Sequence, residues 1–250
     1  MIRLSEIPTR SPADLTKKQA QEQTAQWVQR LGELQDVMMA QRKHSVLVVL
    51  QGMDASGKDG AAKNVFANCN PVGINTHSFK KPTEEEFAHD FLWRVHQHTP
   101  AQGMIQLFIR SHYEDVLIQR VHKWIDETHV TRRIEAINSF EQLLYFDNQT
   151  HIFKFYLHIS KEQQEVELRQ RLSEHDKHWK HNSGDWKERE HWDAYMACYE
   201  DVINRSTIPW HIIPVDQRWY RDYLMSKILV EYLEQLNMTY PPLDDGELEK

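Results

Sequence analysis

The stretch from Val46 to Gly60 constrains this chain more than any other. Residues 46–50 read Val-Leu-Val-Val-Leu, a short run of β-favouring apolar residues of the kind buried on both faces of a parallel sheet. The run continues through Gln51 into Gly52-Met53-Asp54-Ala55-Ser56-Gly57-Lys58-Asp59-Gly60, and a helical pattern follows to about Ala67. Strand, glycine loop and helix in that order make a phosphate-binding loop. Three of the chain's eight glycines fall within these nine residues, and Gly52 and Gly57 can take backbone angles that a side chain forbids. The amides of Gly52, Ala55, Ser56, Gly57, Asp59 and Gly60 can then turn toward a phosphate, reinforced by the positive end of the helix. Lys58 adds a mobile ammonium. The spacing is G-x-x-x-x-G-K, but Asp59 stands where most such loops carry Ser or Thr for Mg²⁺. Another residue has to hold the metal.

The 250 residues suit one domain with a sizeable core. The formal net charge of −7 argues against general binding to nucleic acid or to a membrane surface, so any polyanion must be met by a local basic patch. The two cysteines, Cys69 and Cys198, make no disulfide framework and have no metal-type partner nearby in sequence. The segment Met1 to Pro8 lacks the apolar stretch of a signal peptide, and no window reaches the length of a membrane span. These features point to a soluble protein of the reducing cytoplasm, with no nucleic-acid and no membrane partner.

Alternating strand and helix patterns predict an α/β architecture, a three-layer α/β/α fold around a mostly parallel sheet, spanning residues 1–250 as a single domain. Ser11-Pro12-Ala13-Asp14 predicts the start of a helix that runs to about Arg42. Extended segments are expected at 74–79, 105–109, 152–159 and 210–215. Thr83 with Glu86 forms a capping box that opens a helix through about His98, and another helix starts near Tyr113. Residues 171–190 are dense in charge and hold Trp179 and Trp186. They are expected to form a lid over the carboxyl edge of the sheet, and the tail 241–250 is expected to be disordered.

In an open α/β sheet the partners of a phosphate loop sit at the carboxyl ends of neighbouring strands. Strand 105–109 ends at Ile109-Arg110, which places a guanidinium where it can meet a phosphate, with Glu114 and Asp115 a turn later. Ile109 can ligate no metal. Asp54, inside the loop, therefore leads as the metal ligand. Further basic candidates are Lys63, Lys80, Lys81 and Arg94, then Arg171, Lys177 and Lys180 in the lid segment; taken singly, exposed charges of this kind are usually solvated surface. His175, His178 and His181 share a spacing that could face a transition metal, but without a cysteine or carboxylate set the surface reading is preferred. Trp186, Trp192, Tyr195 and Tyr199 are read as a helix face packed on the body rather than a base-stacking platform.

These motifs closely resemble the polyphosphate kinase 2 family, phosphotransferases that move phosphate between inorganic polyphosphate and nucleotides. The resemblance spans roughly residues 15–240. It rests on VLVVLQGMDASGKDG at 46–60, NPVGINTHSFKKPTEEE at 70–86, HDFLWR at 89–94, RSHYEDVLIQRVH at 110–122, FYLHISKEQQ at 155–164, RLSEHDKHWK at 171–180, REHWDAYMACYEDVI at 189–203 and PWHIIPVDQRWYRDY at 209–223. It implies a P-loop kinase fold with a helical lid, Asp54 on Mg²⁺ (or Mn²⁺ in its place), Lys58 and the loop amides on phosphates, Arg110 on the transferring charge, and Arg171, Lys177 and Lys180 closing over the chain. Glu114 resembles the subgroup that accepts nucleoside monophosphates as well as diphosphates, so AMP, ADP and GDP are the implied acceptors, and a homodimer or homotetramer is the implied assembly. Two positions depart from the family pattern. Ile109 replaces an Asn or Asp, and His181-Asn182 replaces a Phe-Ser pair. The first change raises the alternative of a polyphosphate- or nucleotide-binding protein with impaired turnover. A kinase using ATP on a small molecule is a third reading, disfavoured because no acceptor-specific motif is visible.

Overall fold

In the computed structural model, residues 1–243 are described. Five strands, β1 (Ser45–Gln51), β2 (Ile74–Ser78), β3 (Ile105–Ile109), β4 (Thr150–His158) and β5 (Trp210–Pro214), form one sheet in the order β2-β3-β1-β4-β5. Every neighbouring pair is parallel, and β1 is central, with Val46 opposite Ile105 on one side and His151 on the other. All seven residues of β1 are buried, which requires helices over both faces. Parallel pairing needs a long crossover between strands, supplied by α2 (Lys58–Val65), α3 (Glu84–Phe87), α4 (Trp93–His96), α5 (Ile118–Val121), α6 (Glu127–Asn148), α7 (Lys161–Ser173), α8 (Gly184–Glu190) and α9 (Trp192–Arg205), while α1 (Lys17–Gln41) precedes β1 and α10 (Arg218–Glu234) follows β5.

The side chains of β4 show how the layers divide. Neighbours along a strand face opposite ways, and Phe153 meets Tyr232 of α10 while Lys154 meets Glu141 of α6. Helix α10 therefore covers one face, packed with α1 and α2, and α6 covers the other. The order of strands reverses direction of growth at β1, so the crevice for a ligand lies at the carboxyl ends of β1, β3 and β4.

Several boundaries differ from those expected. Helix α1 begins after Thr16, whose side chain accepts from the Gln19 amide in a reciprocal capping box; this box, not Ser11 to Asp14, sets the start. The Thr83–Glu86 box forms as expected but opens only one turn. Asp90 accepts from the Leu92 amide at 3.0 Å and restarts the chain as α4, so there is no continuous helix to His98. The segment after Tyr113 is a 3₁₀ turn, His112–Asp115, followed by the short α5. The long helix is α6, opened by Asp126 accepting from the His129 amide. Residues 171–190 fold as the end of α7, a 3₁₀ turn at His175–Lys180, and α8. From residue 244 onward the tail expected to be disordered lies outside the described residues. Among the described residues no helix is long and apolar enough to cross a membrane.

Candidate active site

The loop between β1 and α2 owes its shape to where its carbonyls go. Lys58 Nζ donates to the carbonyls of Gly52 at 2.7 Å and Met53 at 3.2 Å. Gln164 of α7 donates to that of Asp54 at 3.0 Å. Two arginines of α10 take the rest: Arg218 donates to Ala55 at 2.7 Å and also to Ser56, and Arg221 donates to Gly57 at 2.9 Å. In a trans peptide the N–H points opposite to the C=O. Holding the carbonyls of Ser56 and Gly57 against α10 thus turns the amides of Gly57 and Lys58 the other way, toward the crevice, where the start of α2 adds its positive end; the Ser56 amide closes the loop on the Met53 carbonyl at 3.1 Å. Gly57 has φ +90°, and a Cβ there would lie 2.5 Å from Arg221 Nη1, so only glycine lets the two guanidiniums close on the loop. Sequence reading missed Arg218 and Arg221. Their one local signal is a pair of arginines three apart at the start of the helix after the last strand.

Lys58 is buried, and burial pulls its ammonium down to about 8 against the opposing pull of Asp54. Arg110 follows β3 with φ +60°, the left-handed region that residues other than glycine seldom occupy. Its amide bonds the Leu50 carbonyl at 3.0 Å, and its guanidinium donates to Asp54 Oδ1 at 2.7 Å. Burial works against the Arg110 charge, but Glu114 and Asp54 outweigh it and hold the proton more firmly than usual. Burial likewise raises Glu114 above the ordinary carboxylate range, against the pull of Arg110 and Lys58.

Two cavities meet at this pair. The larger, about 610 Å³, is lined by eight basic side chains, Lys58, Lys80, Arg110, Arg171, Lys177, Lys180, Arg218 and Arg221, against four carboxylates, Asp54, Asp59, Glu167 and Asp185. The smaller, about 230 Å³, is lined by Asp54, Glu114, Asp185 and Glu188 with Arg110 as its one basic residue, and by Tyr195 and Tyr199. Asp54 and Arg110 belong to both, as do Asn182 and Asp185 on the facing wall.

Residues 171–190 form a wall of the two cavities. Arg171 donates to Asp185 Oδ2 at 2.6 Å and to the Lys180 carbonyl at 3.2 Å, tying α7 to α8. Lys177 pairs with Glu174 at 2.6 Å, and Lys180 lies over the exposed Trp179 ring at 5.0 Å. Arg189 of α8 donates to Gln164 Oε1 at 2.9 Å, and Gln164 holds the loop after β1, so wall and loop share one residue. Glu188 is bonded by His122 Nε2 at 3.0 Å and by the Tyr195 hydroxyl at 2.7 Å. Trp192, Tyr195 and Tyr199 are buried on α9 as the packing reading expected, and the two tyrosines also line the smaller cavity.

Not every candidate comes to the crevice. Arg94 is 5% exposed, with its guanidinium on Asp115 Oδ2 at 3.1 Å and on the Lys80 carbonyl at 2.9 Å. This corrects its assignment to phosphate: a buried guanidinium already bonded to a carboxylate cannot meet a chain outside, and Arg94 instead fixes the backbone that presents Lys80. Lys63 and Lys81 are exposed and line neither cavity. His178 bonds the Leu172 carbonyl at 3.1 Å, and among the described residues no group of three or more His, Cys, Asp or Glu is arranged to hold a metal. Ile109 lines the larger cavity beside Arg110 and offers it only hydrocarbon.

Residues 14–241 match the family model of polyphosphate kinase 2. The chain belongs to the polyphosphate kinase 2 family. It is 46% identical over 228 residues to the AMP/ADP-polyphosphate phosphotransferase of Meiothermus ruber, covering 90% of this chain and 85% of that protein. It is 36% identical over 256 residues to the ADP-polyphosphate phosphotransferase of Rhodopseudomonas palustris, covering 96% and 88%. The crystal structure of polyphosphate kinase 2 from Arthrobacter aurescens superposes with a TM-score of 0.93 at 38% identity, covering 97% of this chain and 89% of that one. This polyphosphate kinase 2 family member therefore has the P-loop kinase architecture expected of it.

Proposed function

We propose that this family member transfers the terminal phosphate of inorganic polyphosphate to a nucleoside mono- or diphosphate, reversibly and with Mg²⁺. The observation that carries the reading is the meeting of two oppositely charged cavities at Asp54 and Arg110. A polyanion suits the larger, basic cavity. The smaller one, with a single arginine at the junction and carboxylates and tyrosines beyond it, suits a nucleotide whose phosphate faces Arg110 and whose sugar and base offer hydrogen-bond donors.

In that arrangement a terminal phosphate oxygen of the acceptor attacks the last phosphorus of the polyphosphate in line. The bond to the bridging oxygen breaks, and the shortened chain keeps that oxygen. Little covalent chemistry falls to the protein, so positioning and charge neutralisation do the work. Lys58 and the loop amides hold the donor's end, Arg110 turns from Asp54 to the transferring group, and Lys80, Arg171, Lys177 and Lys180 hold the chain behind it. The residues present fit a hard cation. Asp54 is a partly exposed carboxylate beside the loop, and Mg²⁺ is commonly held by one or two carboxylates together with substrate phosphates. Asp54 would hold Mg²⁺, or Mn²⁺ in its place, and the ion would neutralise phosphate oxygens when bound. Glu114 on the wall of the smaller cavity supports monophosphate acceptors, as does the likeness to a relative named for AMP and ADP. We further place the protein in the cytoplasm as a homodimer or homotetramer, with 171–190 closing over the bound chain.

The test is transfer by purified protein with Mg²⁺, polyphosphate and AMP, ADP or GDP in turn, with Lys58→Ala as control. Product that depends on polyphosphate and disappears in the variant is expected. Polyphosphate binding with no product from any acceptor would overturn the reading.

A further inference from the structure

Lys154 stands in the middle of β4, paired with Val49 on one side and Trp210 on the other, and none of it reaches solvent. Its Nζ donates to Glu141 Oε2 at 2.6 Å and to the Tyr113 hydroxyl at 2.8 Å, and lies 5.2 Å and 5.3 Å from the centres of the Tyr113 and Trp210 rings. The Tyr113 hydroxyl donates in turn to Glu141 Oε1 at 2.8 Å, and His112 Nε2 reaches the same oxygen at 3.2 Å. A carboxylate only accepts, so the imidazole donates there. Glu141 is also fully buried. Burial is the strongest single influence and opposes its charge, but Lys154 and His112 together outweigh it and hold Glu141 below the ordinary carboxylate range. Burial, with Glu141 beside it, keeps the Tyr113 phenol protonated.

Stability alone does not explain such a cluster, because a buried ion pair is often no more stable than well-packed apolar residues. Its position does. None of its four residues lines either cavity, yet His112 and Tyr113 lie between Arg110 and Glu114, which do. Arg110 also holds a backbone conformation that survives only where its surroundings impose it. At the front of this turn Ser111 is held by Gln51 Nε2 at 3.0 Å; at the back Glu141 grips the next two residues.

We infer that Glu141, neutralised by Lys154, is a positioning residue: by accepting from His112 and Tyr113 it fixes where Arg110 and Glu114 stand relative to Asp54 and the phosphate loop. The inference rests on the proposed phosphate transfer. Its test is steady-state kinetics with polyphosphate and AMP, alongside thermal melting, for the parent, Tyr113→Phe, Glu141→Gln and the apolar pair Glu141→Leu/Lys154→Met. Tyr113→Phe and Glu141→Gln should lower kcat by about 10- to 100-fold, the scale of a misplacement near 1 Å. The KM of either substrate should stay within about threefold. The apolar pair should melt close to the parent yet keep the low kcat. A kcat within twofold of the parent in folded Tyr113→Phe, or a kcat that returns with the melting temperature in the apolar pair, would overturn the inference while leaving the transfer reaction standing. Should Glu141→Gln not fold, Tyr113→Phe decides. An inactive parent would overturn the reaction and the inference together.

Discussion

Two glycines eight residues apart, one in the loop after β1 and one in the helix it opens, should respond to alanine in opposite directions. Gly52 has φ +147°, and a Cβ there would lie 2.7 Å from the Leu157 carbonyl oxygen, 2.9 Å from Ser56 Oγ and 3.1 Å from Leu157 Cβ. Leu157 is buried within β4 and paired with Ile213 of β5, so the backbone oxygen has nowhere to retreat. The backbone strain contributes about 1–3 kcal/mol and the overpacking about 1–3 kcal/mol more, so Gly52→Ala should cost roughly 2–6 kcal/mol, a large share of the ~5–15 kcal/mol that holds a protein folded. It should also shift the carbonyl that Lys58 grips and lower kcat by about 100-fold. Gly60 lies inside α2 without a positive φ, and its nearest neighbour, the Arg221 guanidinium, is 3.4 Å from the added carbon. That is ordinary contact with the far end of a side chain. Gly60→Ala should therefore leave stability unchanged or raise it by about 0.5–1 kcal/mol, since alanine loses less backbone freedom in a helix. Urea unfolding followed by far-ultraviolet circular dichroism measures both. A Gly52→Ala protein within about 0.5 kcal/mol of the parent, or a Gly60→Ala protein destabilised as much as Gly52→Ala, would refute the reasoning.

Lys58 ties activity and stability to pH with opposite signs. Burial holds its pKa at about 8 in the folded protein, against 10.5 for a lysine in water. Between those values the unfolded chain keeps a proton the folded one has lost, so stability rises with pH there, by ~3 kcal/mol; Lys58→Met should flatten this rise in urea unfolding. The neutral amine is a poor partner for phosphate, so kcat/KM for polyphosphate should fall above about pH 8, and a flat profile to pH 9.5 would contradict the assignment. Arg110→Lys removes the planar fork and should cut kcat by about 100- to 1,000-fold, measured with both substrates saturating; a loss confined to KM would mean that Arg110 only binds. Ile109→Asn puts an amide oxygen on the wall of the larger cavity and should lower the Mg²⁺ concentration for half-maximal rate by about fivefold, the worth of one polar contact. No change in that concentration would show that the isoleucine is immaterial to the metal.

The legible parts of the molecule were those written in consecutive residues. The β1 run, its glycines and Lys58 are adjacent, and their meaning survives without knowledge of any other segment. The five strands were visible for the same reason, as short β-favouring runs between turn residues. Helix starts were less secure because caps compete: Ser11-Pro12 and Thr16-x-x-Gln19 are both sound N-terminal signals, and the fold takes Ser11 away from the cap by bonding its amide and hydroxyl to Gln217 Oε1, leaving the second. The roles of Arg218, Arg221, Glu141 and Lys154 were not legible. The contacts that give them those roles span from 13 residues, Lys154 to Glu141, to 164, Arg221 to the Gly57 carbonyl, and form only once α10 and α6 lie across the sheet. Arg94 went astray for the opposite reason: it stood among the basic candidates because its charge looked available, and only the fold shows Asp115 already holding it.

The net charge of −7 gives the division of the crevice a measurable consequence. A polyanion approaching this protein is repelled by the molecule and attracted by eight basic side chains in one cavity. At physiological ionic strength the screening length is about 8 Å, so the distant acidic surface fades while the cations in direct contact act at shorter range. Adding salt therefore weakens the attraction inside the cavity as well as the repulsion outside, and the contact term dominates because many phosphates engage many cations at once. The KM for polyphosphate should rise steeply between low and high salt. The smaller cavity, where we propose the nucleotide binds, has one basic residue and four carboxylates, so the nucleotide KM should rise much less. Kinetics from about 0.05 to 0.5 M salt, a span over which the screening length falls roughly threefold, separates the two. Equal salt dependence for both substrates would show that the cavities do not divide the ligands by charge, and a polyphosphate KM indifferent to salt would remove polyphosphate from the basic cavity altogether.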